Sequence, residues 1–399
     1  MLSEALEPVN PFHEGAAGKY FVGRDDQLKR FTRALTALRK AEPAHLYVAG
    51  VNGRGKTSCL EKLVEMARES DILAVRVALD GGVRAQQQIL AMFEKLLRKV
   101  DEIHKEMAGA PRLIAEWKQS SGSPFHLPGS GRLQNDHLLQ DLTHVRDVIA
   151  ELGFRHLVLC IDEGERIEPY ALSALKNALL ELKEYLVVLS VRLAEDHGDP
   201  VRAGKLKLEE IAAAADRDLG AARLFVGGVG LGSFTAEQAR YCITRRLEDN
   251  AIRFDDAVID LIVRVAEGLP DRIISYAHQV YDRTEAAETD IATVEIFRQT
   301  FVALHKLELD EANALSAQST SSDRRTLREL ARHDVPLTPL DLARKLYADA
   351  SADVLEPVAD ALRGVLDRVG DTFCVSTDGR YLVPDPVRRY ALEISMEPE

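Results

Sequence analysis

Nine consecutive residues, Gly50-Val51-Asn52-Gly53-Arg54-Gly55-Lys56-Thr57-Ser58, have the types and spacing of a loop that grips phosphate, G-x-x-x-x-G-K-[ST]. Glycines let the backbone curl until its N–H groups converge on an anion, and the positive end of the next helix adds to the pull. In such a cradle Asn52, Gly53, Arg54, Gly55 and Ser58 supply the wall, Lys56 reaches the β- and γ-phosphates, and the Thr57 hydroxyl holds Mg²⁺. A glycine-rich turn that merely carries a lysine is the plainer reading. The flanks speak against it: the apolar run Leu46-Tyr47-Val48-Ala49 precedes the loop, and the amphipathic stretch from Cys59 to Ala67 follows it.

A second pair of residues complements the first. Leu157-Val158-Leu159-Cys160-Ile161 is an unbroken apolar run, as expected of a strand covered on both faces in a parallel sheet, and it ends in Asp162-Glu163. An acid at the carboxyl end of such a strand belongs beside the metal, so Asp162 joins Thr57 as a metal ligand. Glu163 is then placed to orient or deprotonate an attacking water.

The elements that must position these groups alternate. Strands are expected at 72–79, 157–162, 185–190 and, last and shortest, Arg223-Leu224-Phe225-Val226. Helices are expected over 25–38, after the phosphate loop, at 83–107, 138–152 and 169–182. This is the pattern of an α/β fold with a doubly wound parallel sheet. Residues 119–135, rich in Gly, Ser and Pro, form a surface excursion with Trp117 anchoring its edge. From Thr235 the period is helical, with helices at 235–250, 255–267 and 271–287, and residues 310–322 gain serine and lose apolar period. Three further helices, 323–333, 338–348 and 353–368, precede two short runs around Thr377-Asp378-Gly379, a hairpin signal. Three helices and a hairpin make a winged helix-turn-helix. The resulting division is an N-terminal arm at 1–20, an α/β core at 21–232, a helical lid at 233–309, a linker at 310–322 and a winged helix at 323–399.

With 399 residues and 46% hydrophobic content, the chain has the size and make-up of a multidomain globular protein. It shows neither a secretory signal nor an apolar run of membrane-spanning length, so a soluble cytoplasmic protein with no membrane partner is expected. The four cysteines, Cys59, Cys160, Cys242 and Cys374, have no C-x-x-C spacing and are expected as small buried residues. A formal charge of −13 excludes a surface that is basic throughout, though not a local basic patch.

Taken together, the phosphate loop, Asp162-Glu163, the helical lid and the terminal winged helix resemble the AAA+ and STAND P-loop ATPases. The nearest groups are the archaeal and bacterial AAA ATPases and the origin-recognition initiators, and the resemblance runs from about residue 10 to 390. Phe21-Val22-Gly23-Arg24-Asp25-Asp26-Gln27-Leu28 is similar to the family's FVGRxxxL motif, which implies that Val22, Gly23 and Arg24 lie beside the adenine of ATP. Ser190 ends the strand that resembles the family's sensor-1 strand, which implies a polar group near the γ-phosphate and a catalytic role beside Lys56 and Glu163. Gly268-Leu269-Pro270-Asp271-Arg272 is similar to the sensor-2 and G-L-P regions, which implies nucleotide contacts from Pro270 and Arg272. Asp271 stands where an initiator has arginine, and the shift of Arg272 by one residue turns its side chain by about 100 degrees. Arg217, Arg223 and Arg192 are the candidates for an arginine finger offered to a neighbouring subunit.

The function so implied is an ATP-hydrolysing conformational switch, with ATP and Mg²⁺ as ligands, that assembles with itself or a partner protein. An initiator that loads on DNA and a signalling adaptor with slow turnover are the rivals. DNA is not favoured, because the third helix of the winged domain carries Asp353, Glu356, Asp360 and Asp367 against Arg363 and Arg368. Arg324, Arg325, Arg328, Arg380, Arg388 and Arg389 leave a backbone contact through another face open.

Overall fold

Five strands, β1 (Leu46–Gly50), β2 (Leu73–Ala78), β3 (Leu157–Asp162), β4 (Tyr185–Arg192) and β5 (Gly227–Gly230), pair in parallel in the order β2-β3-β4-β1-β5. The computed structural model describes residues 10–12, 20–108, 113–118, 126, 135–194, 198–214 and 220–396. Unbroken apolar strands are explained by two-sided cover. Val158 and Cys160 of β3 pack with Phe31, Leu38, Leu60 and Leu63, which lie on α1 (Asp25–Arg39) and α2 (Lys56–Arg68). Leu157, Leu159 and Ile161, one step out of phase, pack with α3 (Ala85–Ala108), α4 (Leu113–Lys118), α5 (Asn135–Glu151), α6 (Pro169–Glu181) and α7 (Pro200–Ala213) on the other face. This is the doubly wound α/β arrangement.

The last strand departs from the sequence expectation. Residues 220–223 are a short helix, α8 (Gly220–Arg223), and the strand follows four residues later than expected, as Gly-Gly-Val-Gly. A Cβ on Gly228 would stand within 3 Å of the Tyr47 ring and of Val201, and one on Gly230 within 3 Å of Pro200. Only glycine lets β5 approach β1 under α7, so the strand lacks the β-branched signature by which strands are recognised.

The chain forms two compact units, residues 14–233 and residues 1–13 with 234–399. The second unit contains α9 (Ala236–Leu247), α10 (Asp256–Ala266), α11 (Pro270–Ala286) and α12 (Val294–Leu304), with the two-residue parallel strands β6 (Arg253–Phe254) and β7 (Ile291–Ala292) between them. A capping box of Thr235 and Gln238 opens α9. Next come α13 (Lys306–Gln318), α14 (Ser321–Ala331), α15 (Pro339–Leu346) and α16 (Ala352–Phe373), the hairpin β8 (Val375–Thr377) and β9 (Arg380–Leu382), and α17 (Pro386–Ser395). Asp378 and Gly379 both have positive φ, 52° and 71°, as the Asp-Gly hairpin turn requires. The order helix, helix, helix, hairpin is that of a winged helix. α16 runs to Phe373, beyond its expected end, because Leu362, Leu366 and Phe373 continue one buried stripe.

Two expectations need correction here. The segment 310–322 is not extended: α13 occupies it to Gln318 and packs on α17, with the Ser316 hydroxyl donating to Ser395 O at 2.7 Å. The buried residues it contributes, Ala312 and Ser316, are small, so its helical period is faint in the sequence. The arm lies mostly outside the described residues, but Phe12 is buried in the second unit, stacked on Phe254 at 5.8 Å, and Pro11 O accepts from Arg246. Residues of α9, α10, α11 and α12 share one apolar cluster with residues of α14, α15, α16 and α17, as in the contact of Phe301 with Tyr390.

Candidate functional site

The phosphate loop leaves β1 at Gly50 and returns into α2 at Lys56. Gly53 and Gly55 have φ of 76° and 82°, the left-handed backbone that turns successive N–H groups to one side. Open space lies where a Cβ of Gly55 would be, so the mouth of the cradle is clear. Lys56 Nζ donates to Gly50 O at 3.1 Å and Val51 O at 3.0 Å, folded over the loop, and burial holds its pKa below the usual lysine value.

Asp162 meets this loop from β3. Its Oδ2 accepts from Thr57 Oγ1 at 2.9 Å, and its Oδ1 accepts from Ser190 Oγ at 2.8 Å. Strand order explains the convergence: β4 lies between β3 and β1, so its end stands behind both. Ser190 is fully buried, and its oxygen also accepts the Glu163 N–H at 2.8 Å. It braces the two acids from behind. Glu163 has φ 56° and ψ 39°, a conformation that costs a non-glycine residue energy, and its carboxylate pairs with Arg166 at 2.6 Å. The donor set fits Mg²⁺. Thr57 and Asp162 offer hard oxygens side by side, and Mg²⁺ is commonly bound by one or two carboxylates with substrate phosphates completing its shell.

The Val22-Gly23-Arg24 motif comes to the same loop by another route. Gly23 has φ 70°, and Arg24, buried at the start of α1, donates from Nη2 to Arg54 O at 3.2 Å and to Gly232 O at 2.9 Å. Its guanidinium ties the phosphate loop to the end of the α/β unit, and burial lowers its pKa to about 10. Arg192 stands level with Gly50 across the β1–β4 pairing, exposed, and its charge contributes to lowering the Lys56 pKa. Arg223 ends α8 with an exposed side chain. Arg217 lies outside the described residues. Pro270, first residue of α11, and Arg272 belong to the second unit.

Residues 20–190 match the family model of the AAA ATPase domain. This segment is an AAA ATPase domain. Among solved structures the chain is similar to the ORC2 protein of Aeropyrum pernix, at 13% identity over 98% of this chain and 97% of that one, with a TM-score of 0.51. That likeness extends the fold assignment beyond the AAA ATPase domain. The RuvB Holliday junction branch migration motor of Thermotoga maritima is also similar, at 17% identity over 93% and 95% of the two chains with a TM-score of 0.43. The Walker-type ATPase of Pyrococcus abyssi stands at 15%, 91%, 95% and 0.46 by the same measures. No curated protein matches the chain in sequence.

Sequence reasoning missed one member of the site. Arg76, on β2, donates from Nη1 to Asp162 Oδ2 at 3.0 Å and from Nη2 to Glu61 Oε1 at 3.0 Å. A lone arginine in an otherwise apolar strand, Leu-Ala-Val-Arg-Val-Ala, was the signal. All four cysteines are buried, and among the described residues no helix is long and apolar enough to cross a membrane.

Proposed function

We propose that the protein hydrolyses ATP with Mg²⁺ and uses the cycle to change the state of its C-terminal unit, in assembly with itself or a partner protein. One observation carries this reading: Lys56, Thr57, Asp162 and Glu163 meet at the carboxyl edge of the parallel sheet, with Thr57 Oγ1 2.9 Å from Asp162 Oδ2. On ATP binding Lys56 leaves the Gly50 and Val51 carbonyls for the phosphate oxygens. Mg²⁺, when bound, is held by Thr57 and Asp162 and neutralises charge on the β- and γ-phosphates. Glu163 orients the attacking water and takes its proton, with Ser190 fixing the peptide that carries it. Arg192, level with Gly50, adds positive charge within the same subunit.

The wiring of the winged helix supports a protein partner over DNA. Arg389 is buried against Glu267 at 2.9 Å, and Arg388 lies 3.4 Å from Glu311 and over the Phe373 ring. Arg325 donates to Leu346 O and covers Tyr347. Three of the six arginines that could meet a phosphate backbone are thus engaged inside the unit.

Lys56→Ala tests the reading. Equilibrium binding of ATP should be lost while the nucleotide-free melting temperature stays within a few degrees of the parent, since the lysine bonds only loop carbonyls. ATP affinity equal to the parent's would overturn the assignment.

A further inference from the structure

Asp162 is saturated. Its Oδ1 takes the Ser190 hydroxyl and the Glu163 N–H, and its Oδ2 takes the Thr57 hydroxyl and the Arg76 guanidinium. A carboxylate has about four lone-pair positions, and these four donors use them. A metal ion shared between Thr57 and Asp162 needs a position on Oδ2, so one donor there must leave. Thr57 is the other ligand of that ion. Arg76 is therefore the group to be displaced, and its destination is in place, because its second amino group already touches Glu61. The arginine is about one-third exposed and Glu61 somewhat more, so this end of the contact can rearrange without disturbing the core.

We propose that Arg76 is an affinity-setting residue of the metal site: its cation competes with the divalent ion for Asp162, and Glu61 is the counter-anion that receives it when the ion binds. The inference rests on the nucleotide-site assignment and adds a residue to it. Arg76 acts on the metal site through its bond to Asp162. Removing its charge tightens the metal site, whereas removing the Glu61 charge leaves Arg76 with Asp162 alone and loosens it. A residue that merely held Asp162 in position would give the opposite sign for the first change.

The test is a Mn²⁺ titration of the full-length protein, read by the loss of the free-ion paramagnetic signal at saturating ADP. Arg76→Gln should tighten Mn²⁺ binding by roughly three- to tenfold, the range set by a partly exposed ion pair. Glu61→Gln should weaken it by a similar factor, and Glu61→Gln made on top of Arg76→Gln should add nothing. ADP affinity measured with chelator should stay within about twofold in all variants. Unchanged or weaker Mn²⁺ binding in Arg76→Gln overturns the proposal, as does a loss of metal-free ADP binding. Should Arg76→Gln not fold, the sign of the Glu61→Gln change decides alone, and tighter or equal binding rejects it. A parent protein that binds no ADP would instead defeat the nucleotide-site assignment.

Discussion

Arg389, on the last helix, donates from Nη2 to Glu267 Oε1 at 2.9 Å, and Glu267 is the residue immediately before Gly268-Leu269-Pro270. The last helix thus grips the turn that opens α11. The turn is confined on its other side, because Gly268 O accepts from Phe234 N at 2.7 Å and a Cβ on Gly268 would strike that same segment. Arg389 is only 8% exposed, while the Glu267 side chain is nearly half exposed, so water can compensate the acid but not the arginine. Glu267→Gln should therefore destabilise the protein by about 1–2 kcal/mol, by weakening the anion that faces a buried cation. Denaturant midpoints of Glu267→Gln, Arg389→Met and the double variant check this, and strictly additive effects would show that the pair is not coupled.

Binding and chemistry separate at Glu163. With glutamine there the charge that accepts a proton is gone, yet the cradle and its metal ligands remain. Turnover should fall a hundredfold or more while Mg-ATP binding persists. Steady-state hydrolysis alongside equilibrium nucleotide binding measures both, and parental turnover would place the base elsewhere.

Ser190→Ala removes the hydroxyl that ties Asp162 Oδ1 to the Glu163 N–H. Groups that orient ligand residues typically matter by about 10–100-fold, so hydrolysis should drop by that order. ADP binding measured with chelator should hold within about threefold, because Ser190 is sealed from solvent and bonds no loop residue. A strong loss of metal-free nucleotide binding would mean that the serine contacts nucleotide after all.

His45 provides the pH dependence. It is buried before β1, and its Nδ1 accepts the Val187 N–H at 3.0 Å, which only a ring unprotonated at that nitrogen can do. Burial, helped by Lys183, lowers its pKa from 6.5 to about 4. The unfolded chain binds the proton first as pH falls, so the contribution is complete above pH 6.5 and shrinks steadily between pH 6.5 and 4. The full loss amounts to about 3 kcal/mol. Melting temperatures of the parent and of His45→Asn, which keeps an acceptor for Val187 but cannot titrate, should converge as pH drops through this window. Parallel curves would count against His45.

The legible parts of the chain were those whose signals are local. The loop 50–58 specifies backbone shape through its glycines, the 157–163 run specifies two-sided burial and then two acids, and Thr235, Gln238, Asp378 and Gly379 specify caps and turns within a few residues. What stayed hidden depends on partners distant in sequence. The strand at 227–230 is glycine because of Tyr47 and Val201, α13 is helical because α17 lies against its small residues, and Phe12 is buried because Phe254 and Tyr281 wait for it. Arg76 meets Asp162 only through the β2–β3 pairing, a partnership between residues 86 apart in sequence.

The interleaving of the two units has a consequence on the ribosome. Residues 10–12 are made ahead of the 14–233 unit, but the surface that buries Phe12 is encoded beyond residue 234, after the whole of that unit. At about 5–20 residues per second, this segment waits on the order of ten to forty seconds with its phenylalanine uncovered. During that interval the α/β unit has every strand it needs and can close around its own two cores, whereas the C-terminal unit can be completed only when residues 10–12 are brought onto it. Synthesis thus favours an order in which the α/β unit forms first and the C-terminal unit is sealed last, by a segment made before either.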